Sequence, residues 1–304
     1  MLADTVRLRT EDGFDLFGLV HEPAGVRDLA VVFAHGLGSN GFIPFTDALA
    51  AAMPAAGIAL LRGNLRDPEM LRIDESPRTL EVSKGGGAFH RFEDSVQDLS
   101  AWIAEAESRG YGRVVLFGHS LGSLKSTHYL YRTCDPRVVG LVLASTADLV
   151  AMNEGRYTPE ERNQFLAIAR ELVREGRGRE LMPPECAMGL MLQPVSAQSY
   201  LDRFDEPASW DVMDLYDRGS ARAFVALRAV SVPILALFGT VGETVPEDRL
   251  DAVFRRLEHE AKAARSFESR VLEGANHFYS RRGDEVAGIV LSWLRRVVIS
   301  DKGT

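Results

Sequence analysis

Four runs of apolar residues decide most of what this 304-residue chain can become. They are residues 29–34 (LAVVFA), 113–117 (RVVLF), 138–144 (VVGLVLA) and 233–238 (PILALF). A strand sends successive side chains to opposite faces, so an unbroken apolar run needs cover on both faces of its sheet. Between these runs the apolar period changes. Phe92, Val96, Leu99 and Ile103 recur at helical spacing across residues 89–109. So do Leu250, Val253, Phe254 and Leu257, and then Val286, Ile289, Val290, Trp293, Leu294 and Val297. Shorter strands are expected at 5–9 and 14–21, joined by the turn Glu11-Asp12-Gly13, and at 58–61 and 270–272. Strands alternating with amphipathic helices predict an α/β protein, with a mostly parallel, doubly wound sheet and helices on both faces.

The alternation stops between about 148 and 229, where the period is helical and no buried strand is evident. Thr158-Pro159-Glu160-Glu161 reads as a capping box, followed by an apolar face of Phe165, Ile168, Ala169, Leu172 and Val173. Pro183 and Pro184 break the next segment. The expected organisation is a core domain from residues 1–147 and 230–304, with 148–229 inserted as a helical lid. Within the insertion, LMPPECAMGLML at 181–192 carries three Met and three Leu. Such adaptable side chains suit an apolar acyl pocket, although packing inside the lid is their commoner use. Trp210 and Tyr216 either line that pocket or anchor the lid.

Gly118-His119-Ser120-Leu121-Gly122 stands between a buried strand and an apparent helix. This is the G-x-S-x-G elbow, whose tight turn lifts a serine hydroxyl above the sheet and needs glycine two residues to either side. Ala34-His35-Gly36-Leu37-Gly38 follows the first buried run. Its glycines let a backbone N–H turn towards Ser120. Leu37, paired with the N–H of Leu121, is the expected oxyanion donor, and His35 is expected to be structural. A general base for Ser120 must come from the same sheet edge. Of the seven histidines, His277 in Gly274-Ala275-Asn276-His277-Phe278 lies on a loop after a late strand. His21, His90 and His259 read as surface residues, His128 as a packed helix residue, and His119 as a residue beside or beneath the site.

These stretches together resemble the α/β-hydrolase superfamily: AHGLG at 34–38, LLRGNLRD at 60–67, GHSLG at 118–122, LVLAS at 141–145, PILALFGTVGETVP at 233–246 and GANHF at 274–278. The likeness covers roughly residues 28–147 and 230–298. GGGAFHRFEDSVQDL at 85–99 more loosely resembles a branch with fungal siderophore-hydrolysing esterases and bacterial carboxylesterases with small helical lids. The resemblance implies a serine hydrolase of esterase, thioesterase, amidase or lactonase type, with Ser120 as nucleophile and His277 as base.

The superfamily commonly reads G-x-x-D-x-x-V-P after the strand at 233–238. Counting from Gly239 or back from Pro246 puts the acid at 242, which is Gly. Glu243 is the neighbouring candidate, with a longer side chain. Asp148, after the run at 138–144, occupies the alternative acid position of some relatives. Glu247 and Asp248 fit the first turn of a helix, where carboxylates are favoured anyway. A Ser–His pair with no acid is the remaining option, adequate for an activated thioester or strained lactone and poor on amides.

Composition narrows the partners. With 35 Lys and Arg against 43 Asp and Glu the net charge is −8, and no basic stripe is present, so no nucleic-acid partner is expected. No run approaches the roughly 18–20 apolar residues of a membrane span. MLADTVRLRT lacks the basic start and apolar core of a signal peptide. Cys134 and Cys186 have neither metal nor redox spacing. The expected protein is a cytoplasmic monomer or homodimer with a small-molecule acyl substrate and no cofactor or metal. Two other readings stay open: an acyl-transferring cyclase using the same Ser–His pair, and a silent ligand-binding member, which Gly242 favours.

Overall fold

The structure is a computed structural model that describes residues 3–25, 27–68, 71–75, 80–187, 193–205 and 208–299. The first part of the chain forms β1 (Asp4–Arg9), β2 (Asp15–His21), β3 (Leu29–Ala34), α1 (Phe45–Ala55), β4 (Ala59–Gly63), β5 (Leu71–Glu75) and β6 (Leu80–Lys84). Then come α2 (Ser95–Ser108), β7 (Arg113–His119), α3 (Leu121–Thr133) and β8 (Val138–Ala144). Helices α4 (Leu149–Arg156), α5 (Pro159–Arg174), α6 (Ala197–Phe204) and α7 (Val225–Arg228) follow. The chain closes with β9 (Ile234–Val241), α8 (Leu250–Glu260), β10 (Phe267–Asn276) and α9 (Gly283–Trp293).

Eight strands form one sheet in the order β1-β2-β4-β3-β7-β8-β9-β10. From β4 to β10 every neighbouring pair is parallel, and only β1 and β2 join antiparallel. The apolar runs behave as their patterning requires. In β3, Leu29, Val31 and Phe33 enter a core shared with α1 and α9, while Ala30, Val32 and Ala34 enter one shared with α2, α3 and α8. The chain leaves β3 towards β4 on one side and returns to β7 on the other. That reversal falls at the C-terminal ends of β3 and β7, the usual ligand position in an open α/β sheet.

Several elements differ from the sequence expectation. Helix α1 was not apparent, because FTDALAAAMPA is Ala-rich and carries Pro54; its face of Phe45, Leu49 and Met53 is nevertheless buried at 2 % exposure or less. The separate antiparallel hairpin β5–β6 was also not apparent. Strand β10 runs well beyond residues 270–272 because it pairs with β9 from Phe267 to Asn276. The capping box of α5 forms as written, with Glu161 N–H on Thr158 Oγ1 at 3.2 Å and Thr158 N–H on Glu161 Oε2 at 2.8 Å.

Between β8 and β9 the helices carry a small core of their own, formed by Ala169, Met182, Cys186, Val195, Ala197 and Tyr200. Met182 is therefore packed within the insertion. Residues 188–192 of the Met- and Leu-rich stretch lie outside the described residues. Trp210 is buried with Arg203 over its ring, and the Tyr216 hydroxyl donates to the Thr244 carbonyl at 2.7 Å, so both side chains anchor this region. No helix among the described residues is long and apolar enough to cross a membrane.

Candidate active site

Ser120 sits between β7 and α3 with φ 56° and ψ −124°, backbone values that a residue with a side chain rarely adopts. Its N–H donates to the Ala144 carbonyl of β8 at 2.8 Å, which holds the turn in place. The flanking glycines are sterically required. A Cβ on Gly118 would lie 2.5 Å from the Gly122 carbonyl oxygen, and one on Gly122 would overlap the Ala34 carbonyl oxygen. Both collisions are with backbone, which cannot move aside cheaply. Gly122→Ala should lower stability by about 3 kcal/mol or more, read as a Tm drop of roughly 5–10 °C.

The loop after β3 presses against this elbow. A Cβ on Gly36 would come 2.8 Å from Ser120 Cβ and 3.2 Å from its Oγ. His35 organises the loop from inside, its Nε2 accepting the Leu65 N–H at 2.9 Å, and burial pushes it down to about 4. It is therefore neutral at pH 7. Leu121 is the first residue of α3, so its N–H has no intrahelical acceptor. Leu37 lies half-buried in the loop that touches Ser120.

His277 follows β10 and is joined to the elbow through His119, whose Nε2 lies 2.7 Å from the His277 carbonyl. Burial, then the neighbouring His277, pushes His119 down to about 3. It is a neutral donor beneath the site. His277 Nδ1 lies 2.9 Å from Glu243 Oε2, with the two side chains 5 % and 1 % exposed. This leaves Nε2 as the His277 nitrogen open to a proton. The other Glu243 oxygen accepts the Gly239 N–H at 2.8 Å and the Ser145 hydroxyl at 2.6 Å. Burial raises Glu243, but these hydrogen bonds and the adjacent His277 outweigh it and hold the carboxyl below its ordinary value.

Gly242 explains why the carboxylate stands one residue late. Its φ of 58° is left-handed, and a Cβ there would meet nothing within 4 Å. A side chain at 242 would point into open space, whereas the next residue turns inward. Among the described residues, the other candidate carboxylates make no hydrogen bond to His277. Glu247 and Asp248 are exposed. Asp148 caps α4 through the Ala151 N–H at 2.8 Å, accepts the Leu215 N–H at 2.9 Å and pairs with Arg218 at 3.1 Å.

Burial pushes Asp148 up to about 6 against the pull of those bonds. A carboxyl with a raised folded value binds its proton more tightly folded than unfolded. Stability therefore falls as pH rises from about 4 to about 6 and is flat above. Asp148→Asn should flatten that part of the Tm–pH curve and still cap α4, with kcat within about threefold of wild type.

Two histidines expected at the surface are buried. His21 accepts from Arg62 Nε at 3.0 Å where β2 pairs with β4, and His90 lies 3.4 Å from the buried Asp67. Asp67 also pairs with Lys125 on the second turn of α3, tying the elbow helix to the loop after β4. Burial raises Asp67, but His90 and Lys125 outweigh it and hold it well below the carboxylate range. Helix α6 docks here too. Ser199 Oγ donates to the His90 carbonyl at 3.2 Å, and Arg203 donates to the Gly87 carbonyl at 2.5 Å. A Cβ on Gly38 would overlap the Gln193 amide, so the insertion also abuts the loop that carries Leu37. No group of His, Cys, Asp and Glu among the described residues could hold a metal ion.

A family model described as "Protein of unknown function (DUF1749)" matches residues 14–299. No curated protein matches the sequence. Solved structures match in fold at low identity. An α/β hydrolase, GrgF, from Penicillium sp. sh18 is 15% identical with a TM-score of 0.67, covering 98% of this chain and 100% of that one. Est1E from Butyrivibrio proteoclasticus is 15% identical with a TM-score of 0.60, covering 96% and 97%. The esterase domain of a Rhodothermus marinus protein is 17% identical with a TM-score of 0.59, covering 98% and 100%.

Proposed function

Because the chain belongs to the family described as "Protein of unknown function (DUF1749)" and shares its fold with α/β hydrolases, we propose that it hydrolyses a small-molecule ester, thioester or lactone through an acyl-enzyme on Ser120. The observation that carries this reading is the buried His277–Glu243 contact at 2.9 Å, tied through the His119 Nε2–His277 carbonyl bond at 2.7 Å to the turn that holds Ser120 at φ 56°. Glu243 fixes the His277 tautomer with the proton on Nδ1. Ser120 Oγ then attacks the acyl carbon as its proton passes to His277 Nε2. The carbonyl electron pair moves onto oxygen, where the N–H groups of Leu37 and Leu121 receive the negative charge. Collapse expels the alkoxide or thiolate, protonated from His277. Water repeats the sequence on the acyl-enzyme and releases the acid.

The insertion acts as a lid over the sheet edge in this reading, supported by its seat on the Gly87–His90 loop and by Gln193 against Gly38. Gly242 favours a silent ligand-binding member, and the His277 Nδ1–Glu243 Oε2 contact at 2.9 Å counts against it. The test is a panel of p-nitrophenyl esters of increasing acyl length, aryl thioesters and lactones, with products identified by mass. The proposal expects stoichiometric acid and alcohol or thiol. Acyl products joined to an internal hydroxyl or amine would instead assign transfer.

A further inference from the structure

We infer that Ser145 and Tyr279 are positioning residues that clamp Glu243 through their hydroxyls, so that a carboxylate one residue late in its loop still meets His277 squarely. This rests on the Ser–His–Glu reading above. A Glu side chain has one more torsion to fix than an Asp, and left free it would swing away from the imidazole. Its Oε1 is pinned by the Gly239 N–H at 2.8 Å and by Ser145 Oγ at 2.6 Å, which leaves Oε2 for His277.

The proton count gives Tyr279 its part. Ser145 has one hydroxyl proton, and an ionised carboxylate can only accept, so that proton goes to Glu243. Tyr279 Oη lies 2.7 Å from Ser145 Oγ and must then give its one proton to that oxygen, while the Leu237 carbonyl, 3.1 Å from Oη, already accepts the Ser145 N–H. Tyr279 is fully buried, edge-on to Phe45 at 5.3 Å, and burial, then Glu243, pushes its phenol well up, so it keeps its proton. The titratable groups around Glu243 are His277, His119 and Tyr279.

The backbone supports a functional reading over a packing one. Ser145 has φ 45° and Tyr279 φ 48°, so two left-handed non-glycine residues lie in one hydrogen-bond chain. Ser145 follows β8 directly, and its N–H donates to the Leu237 carbonyl of β9 at 2.7 Å. The strand next to β9 thus contributes the clamp on the acid.

The experiment compares Ser145→Gly, Ser145→Ala and Tyr279→Phe with wild type. Glycine removes the hydroxyl yet suits the left-handed backbone, so this variant keeps the test readable if alanine fails to fold. Ser145→Gly should lower kcat roughly tenfold to hundredfold with KM within about twofold. The acid limb of its kcat/KM profile should move to lower pH, because a looser carboxylate favours imidazolium less. The low-field proton resonance of His277 Nδ1–H should broaden or vanish. Tyr279→Phe should shift all three readouts in the same directions by less. Wild-type kcat, acid limb and low-field proton in Ser145→Gly would overturn the clamp. If the wild type turns over no ester, the low-field proton alone, with and without Ser145, still decides it.

Discussion

Ser120→Ala should lower the rate on an activated ester by about 10⁶, with the fold unchanged. The size follows from the division of labour. Without the hydroxyl no acyl-enzyme forms, and the His277–Glu243 pair has no nucleophile to deprotonate. What remains is binding and the oxyanion donors, which in serine hydrolases retain about 10³–10⁴ over water. The fold should tolerate the change. Ser120 already carries a Cβ at φ 56°, so alanine adds no new backbone strain. Initial rates beside circular dichroism check both halves, and a variant retaining even a hundredth of wild-type activity would remove Ser120 from the mechanism.

Glu243→Gln should lower kcat by about 10³–10⁴ while KM changes little, for a reason of tautomers. The Gly239 N–H and the Ser145 hydroxyl both need an oxygen at the Oε1 position. A glutamine that satisfies them turns its NH₂ towards His277 Nδ1. That nitrogen must then accept, which moves the ring proton to Nε2, where it blocks proton uptake from Ser120. Glu243→Asp should also be slow, because a side chain one methylene shorter cannot span from Gly239 to His277. A near-normal Glu243→Gln with a crippled Asp148→Asn would move the acid to the loop after β8.

How far the sequence was legible depended on whether a feature was local. The four apolar runs became strands because burial on both faces is written into each run. The elbow was readable because its glycines answer to clashes within a few residues and with one neighbouring strand. The choice between Glu243 and Asp148 was not local. It turned on the left-handed φ of Gly242 and on Arg218, 70 residues beyond Asp148, occupying that carboxylate. Ser145 stood out only as the end of LVLAS, with no role attached, and Tyr279 gave no signal, since a lone tyrosine has no spacing to betray it. The burial of His90 depends on Asp67 and Trp210, distant in the chain, so its polar character pointed to the surface.

The most direct test of the account is labelling of the folded protein with a fluorophosphonate, read by intact mass on wild type, Ser120→Ala and Glu243→Gln. The account predicts a single adduct on wild type, none on Ser120→Ala, and slow labelling of Glu243→Gln. No adduct on folded wild type, or equal labelling of Ser120→Ala, would contradict it.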